Sequence, residues 1–330
     1  VVGVLSESFN AYRVQPTIGA SYESVNPRPA VPEVGGDLRV ASFNVLNYFT
    51  TFDARGADNQ AEFDRQRDKI IAAIAELDAD IVGLIELENN GDALADLVTG
   101  LNDYLGAGSY AAVETGPIGS DAITVAFIYQ PGSVNPMGNF AVLDSSVDPG
   151  FIDTKNRPAL AQTFADGRGN DVTVIVNHFK SKGSPCDDVG DFNLNDGAGN
   201  CNLTRTNAAL ALADWAGDDP TGTGDLEVLI IGDLNSYREE SPIGALEDAG
   251  FTDLLEAFVG EYAYSYVFDG QFGYLDYALA NAFSTVNGVV TGAAAWHINA
   301  DEPDLIDYDT SFKQDAQDAL YAPDAFRSSD

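Results

Sequence analysis

Asp233 and Asn235 lie two residues apart at the end of an apolar run, V-L-I-I-G-D-L-N-S, from Val228 to Ser236. Side chains at i and i+2 of an extended segment point to the same side. A carboxylate and a carboxamide are thereby aimed at one spot, at the end of a strand that reads as buried. Oxygen donors so placed suit a hydrated cation or a phosphate oxygen. The plainer reading is an Asx-rich turn closing the strand, with Gly232 breaking it. Other polar groups stand inside or just past apolar runs: Asn44 in R-V-A-S-F-N, Glu86 in I-V-G-L-I-E, His178 in V-T-V-I-V-N-H and Asp276 in F-G-Y-L-D-Y. Asp330 closes the chain in F-R-S-S-D. A buried charge is costly unless it is paired or metal-bound. The recurrence of such sites points to a shared focus, although each alone is more often a cap or a turn.

These groups need a scaffold, and the pattern from Asp37 onward alternates strands and helices. Leu38 to Leu46 and Ile81 to Leu87 read as strands. Ala61 to Leu77 reads as a helix with Ile70, Ile71, Ile74 and Leu77 on one face. Asp92 to Leu105 reads as a second helix, capped by Asp92, with a stripe of Leu94, Leu97, Val98 and Leu101. Ala122 to Tyr129, Ala159 to Phe164 and Val172 to Asn177 follow as strands with few intervening helices. Leu203 to Trp215 is helical, as is a short stretch from Pro242, and Tyr274 to Ala280 is a strand. Helices mixed with strand meanders predict a mixed-sheet α/β (α+β) sandwich and not a Rossmann fold.

Residues 1–36 differ. V-V-G-V-L-S-E-S-F-N-A-Y-R-V-Q-P-T reads as a hairpin, and N-P-R-P-A-V-P-E-V-G-G as a connector. The segment is either the tail of an upstream module plus a linker or a hairpin of the main domain, which would span 37–330. The chain starts at Val1 without Met, which reads as a processed or trimmed end.

Lys+Arg number 16 against Asp+Glu 52, for a net charge of −36. Such a surface repels itself at low ionic strength and is tolerable when salt screens it. It suggests a halophilic setting, or simply an acidic secreted protein. It argues against a DNA-binding module that works by phosphate neutralisation alone. It leaves room for a metal-dependent enzyme acting on polyanions. No apolar run is long enough to span a membrane. The two cysteines, Cys186 and Cys201, flank a polar loop, and a disulfide there is the simplest reading. Closing a loop of about 15 residues stabilises by roughly 3 kcal/mol and implies an oxidising, extracellular compartment.

The ordered series R-V-A-S-F-N-V-L-N, G-L-I-E, V-N-H-F-K-S-K-G, I-G-D-L-N-S, Y-L-D-Y and S-S-D resembles the endonuclease/exonuclease/phosphatase superfamily, of DNase I-like fold, over Asp37 to Asp330. W-H-I-N-A-D-E-P-D and the cysteine-bounded loop before N-L-T-R resemble its secreted bacterial extracellular nuclease branch. There an OB-like module precedes the catalytic domain, which would account for residues 1–36. The resemblance implies a four-layer sandwich, two mixed β-sheets packed face to face with helices outside. It also implies a secreted, divalent-metal-dependent endonuclease acting on DNA or RNA with little sequence preference and leaving 5′-phosphates. By match of position, Asn44, Glu86 and Asp330 would hold Mg²⁺ or Mn²⁺. Asp233 and Asn235 would orient the attacking water and the phosphate. His178 would donate to a phosphate oxygen, and Asp276 would brace the active-site histidine. That histidine follows the terminal aspartate in the family, whereas this chain stops at Asp330, so the chain as written is expected to be crippled.

Arg157, Lys180 and Lys182 are candidates for substrate phosphate, against an equal case for structural ion pairing. Asp187, Asp188, Asp191, Asn193, Asn195 and Asp196 offer oxygens for a structural Ca²⁺, but the spacing fits no EF-hand and a solvated loop is the simpler reading. Glu88 would assist Glu86 or face solvent. His297 reads as a packed histidine beside Trp296. The alternatives are a phospholipid or inositol-phosphate phosphodiesterase of the same superfamily, or a non-catalytic nucleic-acid-binding protein without the last histidine. The aromatics of Asn135 to Phe140 and Tyr262 to Phe272 show no clear membrane-inserting hairpin. The expected state is a monomer with no membrane partner.

Overall fold

The computed structural model describes residues 2–19, 21, 28–268, 270–298, 300, 302 and 304–321. The chain divides into two compact units, Val1–Ala30 and Val31–Asp330. In the first, β1 (Gly3–Ser8) and β2 (Ala11–Pro16) pair antiparallel. Phe9 and Asn10 turn between them at positive φ (52° and 60°), the geometry that matches the twist of a two-residue hairpin.

The second unit runs β3 (Val40–Tyr48), α1 (Gln60–Leu77), β4 (Ile81–Glu88), α2 (Asp92–Leu105), β5 (Ala111–Ala112), β6 (Ile123–Tyr129), β7 (Asn135–Leu143), β8 (Arg157–Ala165), β9 (Asp171–His178) and α3 (Asn202–Gly217). It continues through β10 (Val228–Asp233), α4 (Ser241–Asp248), β11 (Phe251–Asp253), α5 (Leu254–Phe258), β12 (Tyr266–Phe268), β13 (Gln271–Gly273), β14 (Asp276–Asn281) and α6 (Ala282–Val286). One sheet has the order β3-β4-β6-β5, and the other β11-β14-β10-β9-β8-β7. Both are mixed: β3–β4 and β9–β10 are parallel, while β4–β6, β8–β9 and β10–β14 are antiparallel.

The two sheets share an apolar interface of Ile81, Ile85, Val125 and Phe127 against Leu160, Phe164, Val174, Val176 and Ile231. Gly83 lets them approach closely, because a Cβ there would stand 2.6 Å from Ile231 Cδ1. On the outer faces, Ile70, Ile74, Leu97 and Leu101 of α1 and α2 cover the four-stranded sheet. Ala208, Leu212, Ile243 and Leu246 of α3 and α4 cover the six-stranded one. The expected α/β/β/α four-layer sandwich is the architecture observed.

Local details depart from the sequence reading. Asp92 does not cap α2: Asn90 Oδ1 accepts from Asp92 N (2.9 Å) and Ala93 N (3.2 Å), so Asp92 is already the first helical residue. Asn135 to Phe140 is part of the edge strand β7. Pro136 and Gly138 disguised it, and an edge strand with a bulge between Met137 and Ala141 tolerates both. Tyr262 to Phe272 does contain a hairpin, β12–β13. Gly232 does not break its strand. It pairs with Asn177 and Tyr277 at φ +126°, and a Cβ would stand 2.1 Å from Asn177 O.

Gly232→Ala should therefore force β9 and β10 apart. It is expected to destabilise the protein by about 1–3 kcal/mol or more, read as a lower urea midpoint. An unchanged midpoint would contradict the close pairing.

Candidate active site

The site grows out of the alternation that builds the core. Val176, Ile231 and Ala278 face the opposite sheet. Two residues further along each strand, the same parity presents His178, Asp233 and Asp276. Register puts them side by side: His178 pairs with Asp233, and Asp233 with Asp276. On the other flank Arg157 pairs with His178. Four neighbouring strands thus carry one polar rung, Arg157–His178–Asp233–Asp276, at the end of an apolar interface.

The facing sheet supplies Glu86 by a different device. Val82 and Leu84 point outward into the helix layer, so simple alternation would send Glu86 outward too. Glu86 instead takes φ +69° at a bulge between Ile85 and Leu87, and Leu87 then returns to the outer layer. The carboxylate turns toward the rung, with Oε1 3.7 Å from His178 Nε2. Asp233 Oδ2 lies 3.7 Å from the same nitrogen. Beside it, β3 bulges at Leu46 and Asn47 (φ +42° and +48°). Asn44 Oδ1 accepts from Leu46 N (2.9 Å), and Gln66 Nε2 of α1 donates to Leu46 O (2.7 Å). Asn47 N donates to Glu86 Oε2 at 3.2 Å, tying the two bulges together.

Asp233 and Asn235 converge through an Asx turn and not through strand alternation. The strand ends at Asp233, Asn235 takes φ +47°, and its N–H donates to Asp233 Oδ1 (2.7 Å). Asn235 Nδ2 donates to Asp233 Oδ2 (3.1 Å) and Phe179 O (3.0 Å). The turn and the convergent site are one structure.

Charge is under tension here. Burial, then the Asp276 and Glu86 carboxylates, push Asp233 well above the ordinary carboxylate value. Burial, and then Glu86, also raise Asp276, against the hydrogen bond its Oδ2 accepts from Ser265 Oγ (3.2 Å). Burial, followed by Arg157, Arg55 and Lys180, holds His178 well below 6.5, so its imidazole is neutral at neutral pH. Its Nδ1 is buried without a hydrogen-bond partner. Arg157 Nε lies 3.2 Å from Asp121 Oδ2 without hydrogen-bond geometry, and Asp121 also pairs with Arg55 (3.2 Å). The sequence reading missed this arginine–aspartate–arginine chain. The scarcity of cations was the signal that could have drawn attention to Arg55.

Other candidates lie elsewhere. Lys180 Nζ turns onto its own loop, donating to Ser181 O (2.9 Å) and Ser184 Oγ (2.9 Å). Lys182 pairs with Glu240 and lies over the Tyr237 ring. Glu88 is half-buried and not a partner of Glu86. Burial pushes its carboxyl up, but hydrogen bonds from Thr51 and Thr50 outweigh this and hold it below the usual range. His297 stacks on Tyr264 (3.7 Å between ring centroids), with Nε2 2.8 Å from Tyr264 O. Cys186 and Cys201 form the disulfide. Within its loop, Asp188 pairs with Lys155, Asp191 accepts from Thr204 N, and Asn193 and Asp196 accept from nearby backbone. Among the described residues, the aspartates of this loop form no group of three set to hold an ion. Asp330 lies outside the described residues.

Among the described residues, no group of three or more His, Cys, Asp or Glu side chains is set to hold an ion by itself. Mg²⁺ does not need one, since it binds through one or two carboxylates and keeps several waters. Glu86, with Asp233 and Asp276 behind it, meets that requirement. The repulsion that raises both aspartates is what a cation relieves. The residues fit the ion.

Residues 41–298 match the Endonuclease/Exonuclease/phosphatase family. The chain belongs to this family. It is thereby placed among hydrolytic nucleases and phosphatases. Solved structures agree in fold. An endonuclease/exonuclease/phosphatase family protein of Bacteroides thetaiotaomicron is similar at 18% identity and TM-score 0.51, over 74% of this chain and 83% of that one. The human Nocturnin catalytic domain with bound sulfate follows at 17% and 0.50, over 74% and 83%. A mannosyl-6-phosphatase of B. thetaiotaomicron is similar at 16% and 0.50, over 74% and 85%. None of the curated proteins matches the chain.

The raised Asp233 makes a signed prediction. Its folded pKa exceeds its unfolded value, so the charged form costs stability at neutral pH. That cost is lost as pH falls through the folded value toward 3.8. With EDTA present, Asp233→Asn should melt higher than the parent at neutral pH, by a few degrees for each ~1 kcal/mol relieved. The difference should shrink toward pH 4. A lower melting point for the variant at neutral pH would contradict the predicted repulsion.

Proposed function

We propose that this protein is a secreted, salt-adapted, divalent-metal-dependent endonuclease that hydrolyses phosphodiester bonds of DNA, and of RNA, with little sequence preference. The observation that carries the reading is the in-register rung Arg157–His178–Asp233–Asp276 facing Glu86 and Asn44. It joins a basic group, a neutral imidazole and repelling carboxylates at one mouth.

In this mechanism Glu86, with Asn44 beside it, would hold Mg²⁺ or Mn²⁺. The bound ion supplies neutralisation of phosphate charge. Arg157 holds a non-bridging phosphate oxygen through its guanidinium. Asp233, whose raised pKa makes it a better proton acceptor, takes a proton from the water attacking phosphorus in line. Asn235 orients that water through its carboxamide. His178, neutral, donates an N–H to the phosphate oxygen on which charge grows. The new P–O bond forms as the bond to the 3′ oxygen breaks; that oxygen leaves as an alkoxide and takes a proton from solvent, and the other product carries a 5′-phosphate. Asp276 holds the position from which a further acid–base group would be oriented. Contacts of this kind grip the backbone and carry no base code.

A plasmid-nicking assay with Mg²⁺, Mn²⁺, Ca²⁺ or EDTA tests the reading. Cleavage, slow for the chain ending at Asp330, is expected with Mg²⁺ or Mn²⁺ and none with EDTA, and EDTA-resistant cleavage would refute metal dependence. His178→Ala should lower kcat by ~10²–10³-fold, as loss of a transition-state donor does. The rate should rise from low to moderate salt, given the −36 charge, and a monotonic fall would remove the salt-adapted part.

The exposed Phe268 and Phe272 of the β12–β13 hairpin favour a second reading, a lipid phosphodiester as substrate. Among the described residues, no helix is long and apolar enough to cross a membrane. Release of headgroup from sphingomyelin vesicles, with plasmid left intact, would select this reading over the first.

A further inference from the structure

The most completely buried cation beside the rung belongs to no catalytic group. Arg205, in α3, has no exposed surface. Its Nε donates to Ser236 Oγ (3.1 Å). One terminal nitrogen donates to Lys180 O (3.1 Å) and Asn200 O (2.7 Å), and the other to Ala198 O (3.2 Å). Glu240 Oε2 lies 3.8 Å away. These acceptors sort into three segments. Lys180 follows His178 by two residues, Ser236 follows Asn235 directly, and Ala198 and Asn200 lie inside the loop closed by Cys186–Cys201. That loop is itself tied down, since Asn200 Nδ2 donates to Lys182 O (2.9 Å) and Asp191 accepts from Thr204 N at the start of α3 (2.7 Å).

From this we infer that Arg205 is a positioning residue, its guanidinium fork pinning the disulfide-closed loop to the two turns that present His178 and Asn235. A planar fork with five donors suits this task. The Asn235 turn needs an external hold, since it sits in left-handed backbone. The two turns meet each other through Phe179, whose N–H donates to Asp233 O (2.9 Å) and whose carbonyl accepts from Asn235 Nδ2. The disulfide then serves turnover as well as stability, because it fixes two of the fork's acceptors. The inference rests on the hydrolytic reading for its effect on rate, and on geometry alone for its effect on the two turns.

The experiment compares the parent chain, Arg205→Met, Arg205→Lys, the C186A/C201A pair and the combination of R205M with that pair, each at temperatures well below its own melting point. Two readouts are taken: amide hydrogen exchange over residues 178–182 and 233–237, and steady-state kinetics on plasmid with Mg²⁺. The fork predicts faster exchange in both segments for R205M and for the cysteine pair. It predicts a kcat loss of up to about 10²-fold with KM within about threefold, as slight misplacement of reacting groups produces. Lysine should not rescue, since it keeps the charge and loses the fork. The combination should be little worse than R205M alone, because both changes break the same link. Unchanged exchange in either segment, rescue by lysine, or additive losses would overturn the inference. Should R205M fail to fold, exchange in the cysteine pair decides alone. Should the parent chain, which ends at Asp330, be too slow to time, exchange alone decides the positioning role.

Discussion

The register of β9, β10 and β14 is the constraint on which the site depends. His178, Asp233 and Asp276 share a rung because Ile231 pairs with Val176 and Ala278, two residues before His178 and Asp233 and two after Asp276. A slip of one residue would turn each polar group to the opposite face and expose the apolar ones. The inter-sheet core therefore fixes the polar rung at no added cost, and Gly232 and Gly83 let backbone and sheets come close enough for both. The facing carboxylate cannot come from alternation, and the left-handed bulge at Glu86 supplies it.

That arrangement stores electrostatic tension. Burial and the Glu86 carboxylate raise the cost of charge on both Asp233 and Asp276, and Asp276 adds to it at Asp233. Natural sites accept such terms where the same groups hold a cation or move a proton. The stabilising forces are elsewhere: the apolar interface, the two helix layers and the disulfide-closed loop. In the proposed reading function and stability fall to different residues, and removal of a charge from the rung is expected to help the fold as it harms the chemistry.

Much of this was legible in the chain. Apolar runs of β-branched residues marked β4, β9 and β10, and three- and four-residue spacing marked α1 and α2. The polar residue ending each run marked Asn44, Glu86, His178 and Asp233 as candidates. What could not be read was backbone handedness and long-range pairing. Nothing in I-V-G-L-I-E-L-E announces that Glu86 has positive φ, and by strict period two it faces away from the site. Asp233 and Asn235 were rightly joined, but for a reason that belongs to extended backbone, whereas the Asx turn does the joining. β7 was hidden because Pro136 and Gly138 are turn residues everywhere except at an edge or a bulge. Arg205 and Asp121 act across distances of sequence that no local pattern reports.

The cations around His178 also bear on how so acidic a chain would meet the anionic substrate proposed for it. The surface is dominated by carboxylates, yet Arg55, Arg157 and Lys180 act together on His178. At 0.1 M salt the field of an exposed charge decays over about 10 Å. A phosphate at the mouth then senses the groups within that radius and little of the remote surface. At low salt the whole-chain charge of −36 reaches further and opposes approach of a polyanion. Under the proposed reading the medium hides most of the acidic surface, while Arg157, buried beside His178, is protected from the same screening.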